Sequence, residues 1–179
     1  MRAKSVAFIV VIGFCALFLV GAAQAEAIVG QPAPALVAPM LDGKSFDLAA
    51  LKGKVVVVHF WATWCPACRE EMPALEAVWR QYHGKGLEVL AVSADRPRAR
   101  TDVNQVMHYF SFPAAMLDAV TKNDFGMPSM LPVTYVIGKD GNVVSILTPD
   151  IAPLTEPELG AEVKSLLEAK AEPKPEVKP

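Results

Sequence analysis

The chain has 179 residues, 53% of them hydrophobic, and a formal charge of −2. Its aliphatic and aromatic content is too high for a disordered chain. The mildly acidic balance argues against a nucleic-acid binder, which carries a basic face. Residues 1–25 skew these figures: removing them takes away Arg2 and Lys4 and no acid, which moves the charge from −2 to −4 and leaves about 154 residues, enough for one domain around one core.

Residues 1–25 have the three parts of a secretory signal. Arg2 and Lys4 form the basic start, residues 6–20 the apolar region, and Ala23-Gln24-Ala25 a small-x-small cleavage site before Glu26. The alternative is an uncleaved N-terminal anchor tethering the protein to a membrane. Either way the folded part, residues 26–170, is expected outside the cytoplasm. Cys15 lies in the apolar run, leaving Cys65 and Cys68 for the folded domain.

Pro32, Pro34 and Pro39 punctuate the first folded segment. A hairpin is expected around Leu41-Asp42-Gly43-Lys44. Asp47 is positioned to cap a helical turn that Gly53 stops. Residues 55–61, Val-Val-Val-Val-His-Phe-Trp, read as a strand buried on both faces, as in a parallel sheet. A helix follows over 66–82, with Met72, Leu75, Val78, Trp79 and Tyr82 on one face, and Pro73 is expected to kink it. Residues 87–93 form a second buried strand, completing a βαβ unit.

The spacing predicts another helix over 101–110 with Val103, Val106, Met107 and Phe110 inward, and a short strand over 115–117. A hairpin joins 133–137 to 143–147 through Lys139-Asp140-Gly141-Asn142. The last helix covers 156–169, and residues 171–179 read as a solvated Pro, Lys and Glu tail.

The chemistry concentrates at Trp64-Cys65-Pro66-Ala67-Cys68, where the first buried strand gives way to a helix. Cysteines three apart in a first helical turn share one face, at a separation a disulfide can close. In an oxidising compartment such a pair is a redox pair first. A structural zinc site needs two more ligands at suitable spacing, and haem attachment needs His where Arg69 stands. Cys65 falls at the helix N-terminus, where unpaired N–H groups and the positive dipole end favour a thiolate. It is the expected nucleophile, and Pro66 suits the first helical position. Cys68, one turn in, is the expected resolving thiol.

The segment Phe60-Trp61-Ala62-Thr63-Trp64-Cys65-Pro66-Ala67-Cys68-Arg69-Glu70-Glu71-Met72-Pro73 resembles the active site of thioredoxin-like proteins, most closely the TlpA/ResA/DsbE branch of exported thiol-disulfide oxidoreductases. The resemblance runs over residues 30–168 and includes Gly30-Gln31-Pro32-Ala33-Pro34 and Leu131-Pro132-Val133-Thr134-Tyr135. It implies an α/β thioredoxin-like fold, a central mixed β-sheet with helices on both faces, here with an N-terminal β-hairpin extension. It also implies that Pro132 is the family's cis-proline, whose loop offers backbone pairing to a substrate. The location it implies is the periplasm or the extracytoplasmic face of the inner membrane.

Glu71 lies three residues beyond Cys68 and so on the same helical face. It is a candidate proton acceptor for the resolving thiol, as in ResA-like relatives, or else a solvated first-turn acid. His59 stands where related chains carry Asp or Asn. It reads as a proton relay below the dithiol or as a neutral core histidine. Arg96, Arg98 and Arg100 follow the second strand, on the side where α/β sites gather, as a solvated loop or a surface for acidic partners. Trp64 is expected to shield the thiols, and Trp61 and Trp79 to serve the core. Thr148-Pro149, where the family usually has Gly, and residues 123–130 depart from the family pattern beside the substrate groove.

The expected function is dithiol-disulfide exchange with exported protein substrates, as a reductant supplied by a membrane or periplasmic thiol electron donor, with no cofactor or metal. The resemblance suggests cytochrome c or copper-site cysteines as targets. The competing expectation is a Cu(I) carrier using the two thiolates, which suit a soft ion.

Overall fold

The computed structural model describes residues 27–169. The expected signal or anchor and the C-terminal tail lie outside the described residues. The chain forms β1 (Leu36–Pro39), β2 (Ser45–Asp47), β3 (Val55–Trp61), α1 (Pro66–Tyr82), β4 (Leu87–Ser93), α2 (Arg100–Met107), β5 (Ala114–Met116), β6 (Lys122–Asn123), β7 (Val133–Ile137), β8 (Val143–Leu147) and α3 (Glu156–Glu168).

Five strands make a mixed sheet in the order β5-β4-β3-β7-β8. β3 runs parallel to β4 and antiparallel to β7, so it lies at the centre. All of its residues are buried, which is why it reads as an unbroken apolar run. Side chains alternate across it. Val55, Val57 and Trp61 join one core with α1, α2 and α3, whereas Val56, Val58 and Phe60 join a second core on the other face.

That second face is covered by the antiparallel sheet β2-β1-β6. Single 3-10 turns at Leu48–Leu51 and Leu117–Ala119 complete the cover. The helical cover expected on both faces is therefore unequal: three α-helices on one side, short turns and a second sheet on the other. The N-terminal hairpin forms as expected, and β6 adds a third strand to it. Asp47 accepts from the Ala49 N–H at 3.0 Å and caps the first 3-10 turn.

α1 continues through Pro73 without a break in its residue range. A 3-10 turn at His83–Lys85 and Gly86 at φ 108° then deliver the chain into β4. α2 begins and ends earlier than the 101–110 expected from spacing. The chain goes on in tight turns, with Tyr109 N–H bonded to Val106 O and Phe110 N–H to Met107 O, so Phe110 still packs inward after the helix has ended.

Candidate active site

β3 hands the chain to α1 through residues 62–65, and three features place the cysteines there. The Ala94 N–H bonds Trp61 O at 2.8 Å, tying the ends of β3 and β4 together. The Cys65 N–H bonds Ala62 O at 3.1 Å and closes a tight turn. Cys65 then has extended backbone angles and acts as the N-cap of α1, with Pro66 opening the helix.

Cys65 and Cys68 are disulfide-bonded, with Cα atoms 5.3 Å apart. The Cys65 sulfur accepts from the Cys68 N–H at 3.2 Å. It occupies the place a capping oxygen takes in other helices, against N–H groups that have no partner inside the helix. Cys65 is 6% exposed and Cys68 0%. Trp64, expected to shield the pair, stands out at the surface at 68% exposure. Trp61 is fully buried in the core. Trp79 is half-buried and stacks on His83, ring centroids 4.8 Å apart.

The Leu131-Pro132 bond is cis. Phe60 pairs with Val133, so Pro132 is level with Trp61, at the end of the sheet from which residues 62–65 leave. Leu131 packs on the core cluster that contains both cysteines.

Glu71 is not a solvated first-turn acid. It is buried, and its Oε1 accepts from the Leu154 N–H at 3.1 Å just ahead of α3. Burial pushes its carboxyl above the usual range, a shift the Leu154 N–H only partly offsets. His59 is fully buried on the helix face of β3. Its Nδ1 is 2.8 Å from Thr134 Oγ1 on β7, and among the described residues its Nε2 has no hydrogen-bond partner. Desolvation lowers its pKa to about 4, so the ring is neutral at neutral pH.

Arg96, Arg98 and Arg100 are all exposed. A groove of about 760 Å³ opens beside the dithiol between α1 and α2, lined by Thr63, Arg69, Met72, Asp102, His108 and Tyr109 among others. Tyr109 is 78% exposed at its edge. Met127 and Met130, in the atypical stretch before Pro132, are also exposed. Among the described residues, no group of three or more His, Cys, Asp and Glu side chains gathers to hold a metal ion.

Sequence spacing held no sign of Asp95. This buried side chain accepts from the Thr63 N–H at 2.8 Å, the Thr63 hydroxyl at 2.7 Å and the Ser93 hydroxyl at 2.8 Å. The Asp95 N–H in turn donates to Ser93 Oγ at 3.1 Å. The Ser-x-Asp pattern at a strand end hints at the local turn. Nothing in the sequence hints at Thr63, 32 positions away.

A disulfide whose first sulfur caps a helix at the end of a central strand, level with a cis-proline, defines a thioredoxin-like thiol-disulfide oxidoreductase. The chain belongs to the AhpC/TSA family, whose profile matches residues 29–146. It is 40% identical over 119 residues to a thiol-disulfide oxidoreductase ResA of Bacillus cereus, covering 65% of this chain and 67% of that protein. The ResA of Halalkalibacterium halodurans is 33% identical over 119 residues, covering 66% of this chain and 68% of that protein. The crystal structure of a thiol:disulfide interchange protein of the thioredoxin family from Chlorobium tepidum TLS superposes with TM-score 0.63 at 26% identity. That match covers 80% of this chain and 99% of the other. The chain is an oxidoreductase with a Cys-x-x-Cys disulfide, Cys65–Cys68.

Proposed function

We propose that the reduced dithiol reduces disulfides in exported proteins, Cys65 attacking and Cys68 resolving. The observation that carries this reading is the unequal placing of the two sulfurs. Cys65 caps α1 and is the more exposed; its sulfur already accepts an N–H bond that would stabilise a thiolate. Cys68 is fully enclosed. Attack by Cys65 on a substrate disulfide forms a mixed disulfide and frees one substrate thiol. Cys68 then gives its proton to an acceptor and attacks the Cys65 sulfur. The second substrate thiol leaves, and the enzyme is left as the disulfide.

Glu71 is the acceptor in this scheme. It sits one turn from Cys68 on the same helix face, and its raised pKa brings a carboxylate closer to a thiol in basicity. His59 is a second buried base, and its Nε2, without a partner among the described residues, is the atom that would take a proton. The loop at Pro132 and the groove at Thr63 and Arg69 flank the dithiol, where a partner chain would lie. Export rests on the basic and apolar residues 1–25, and cytochrome c or copper-site cysteines are the partners the family resemblance suggests.

The test is covalent trapping with a disulfide-bonded peptide. The Cys65→Ser variant should form no adduct, whereas Cys68→Ser should accumulate one. Faster alkylation of Cys68 than Cys65 at neutral pH in the reduced protein would overturn the assignment.

A further inference from the structure

Residues 62–65 form a short turn between a buried strand and a helix, yet Cys65 must present its sulfur within hydrogen-bond reach of the first helical N–H groups. The turn closed by the Cys65 N–H on Ala62 O does not by itself fix residue 63. Asp95 does. Its two oxygens receive three donors, two of them from Thr63, the backbone N–H and the hydroxyl. Such a two-point grip fixes both the peptide plane and the side chain of Thr63. Asp95 itself is held: Ser93, the last residue of β4 and fully buried, donates to its side chain and accepts from its N–H. Ser93 is paired in register with Trp61. A continuous set of bonds therefore runs from the end of β4 through Asp95 to Thr63, two residues before the capping sulfur. A carboxyl that is only 4% exposed costs desolvation free energy. The three donors it receives offset that cost.

We propose that Asp95 is a positioning residue of the exchange reaction, fixing residues 63–65 so that the Cys65 sulfur is held against the N-terminal N–H groups of α1. This rests on the reading in which Cys65 is the attacking thiol. Without Asp95, the Thr63 N–H and hydroxyl and the Ser93 hydroxyl lose their acceptor, and the turn relaxes toward other partners. The Cys65 thiolate then loses part of its N–H contact. Asn at this position keeps an oxygen for the Thr63 N–H and the Ser93 hydroxyl, and its amide can donate to Thr63 Oγ1, so it preserves the position and removes the charge.

The experiment is iodoacetamide alkylation of the reduced full-length protein between pH 5 and 10, with each cysteine read separately by mass spectrometry. Asp95→Ala should raise the Cys65 midpoint by about one pH unit and slow its alkylation about tenfold at pH 6, the rates converging at pH 10. Asp95→Asn should stay within about twofold of wild type, as a positional role requires. An Ala variant with the wild-type profile overturns the proposal. So does an Asn variant displaced as far as Ala, or in the opposite direction, since the charge and not the position would then matter. If Asp95→Ala does not fold by circular dichroism, Ser93→Ala and Thr63→Val decide: the first removes both bonds between Ser93 and Asp95, the second the Thr63 hydroxyl bond, each should raise the midpoint, and an unmoved midpoint in both rejects the role. A wild-type Cys65 with no thiolate reactivity below pH 8 fails the attacking-thiol reading itself, whatever the variants do.

Discussion

Glu71 and His59 are both buried ionisable groups on the side of the sheet that carries Cys68, yet their surroundings push them in ways that suit different work. Burial raises the Glu71 carboxyl, so near neutrality it gains proton affinity. Burial lowers His59 to about 4, so it is a weaker base than free histidine. This ranks Glu71 first as the acceptor for the Cys68 proton. Glu71→Gln should slow release from a preformed mixed disulfide by about tenfold or more, and formation of that disulfide by much less. His59→Asn should change the release rate by no more than about threefold, a modest value beside the usual general-base contribution. Stopped-flow release between pH 5 and 9, with both single variants and the double, measures this; wild-type rates in all three would remove both residues from proton transfer. Spacing made these two candidates legible, because Cys68 and Glu71 share a helix and His59 lies two residues before Trp61. Spacing could not choose between their roles, because the choice depends on the Leu154 N–H and the Thr134 hydroxyl, which come from distant segments.

Between elements, side-chain ties do what the hydrophobic pattern leaves open. Glu76 on α1 is buried and accepts from the Ser111 N–H at 2.8 Å, the Ser111 hydroxyl at 2.7 Å and Arg80. It thereby anchors the segment after α2 to the middle of α1. Burial acts to raise its pKa, but the Ser111 bonds and Arg80 outweigh that and hold it below the usual value. Glu76→Ala leaves two Ser111 groups without their acceptor and should cost about 2 kcal/mol in urea unfolding, and Glu76→Gln less. A loss under about 0.5 kcal/mol for Ala would mean that water replaces the carboxylate freely. The sequence anticipates β3, α1, β4 and the β7-β8 hairpin closely, since each combines an apolar pattern with a clear Gly, Pro or Asp-Gly boundary. It misses β6, two residues whose strand character consists only of pairing with β1. It overruns α2, because an apolar spacing reports which residues face inward and not which hydrogen bonds their backbone makes.

At the scale of the whole molecule, the redox couple follows from what surrounds the Cys65 sulfur, and the acid response from the ionisable groups the fold buries. Pro66 and Ala67 bring no charge to the Cys65 sulfur, whose support is the helix end and its turn. The reduced form should therefore be stabilised less than in a strong oxidant, with a potential of roughly −180 to −260 mV by glutathione equilibration. A value near −120 mV would point to an oxidase. His59 contributes to the acid response beside Glu76, whose lowered pKa acts in the same sense. The pKa of His59 drops from the usual 6.5 to about 4 on folding, so between those values the unfolded chain binds a proton that the folded one refuses. Its contribution to stability is thus present above pH 6.5 and is lost as pH falls toward 4, by about 3 kcal/mol in all. Glu71 acts in the opposite sense. Its folded pKa lies above 4.5, so its contribution is present below that value and is lost as pH rises through the raised one. Over pH 7 to 4 the wild type should lose stability, with Glu71 softening the loss. Urea unfolding of the oxidised protein at half-unit steps should therefore give a flatter profile for His59→Asn and a steeper one for Glu71→Gln. Any constant offset from lost packing leaves the slopes intact. Equal slopes in wild type and His59→Asn would show that the buried imidazole is not what makes the protein acid-sensitive.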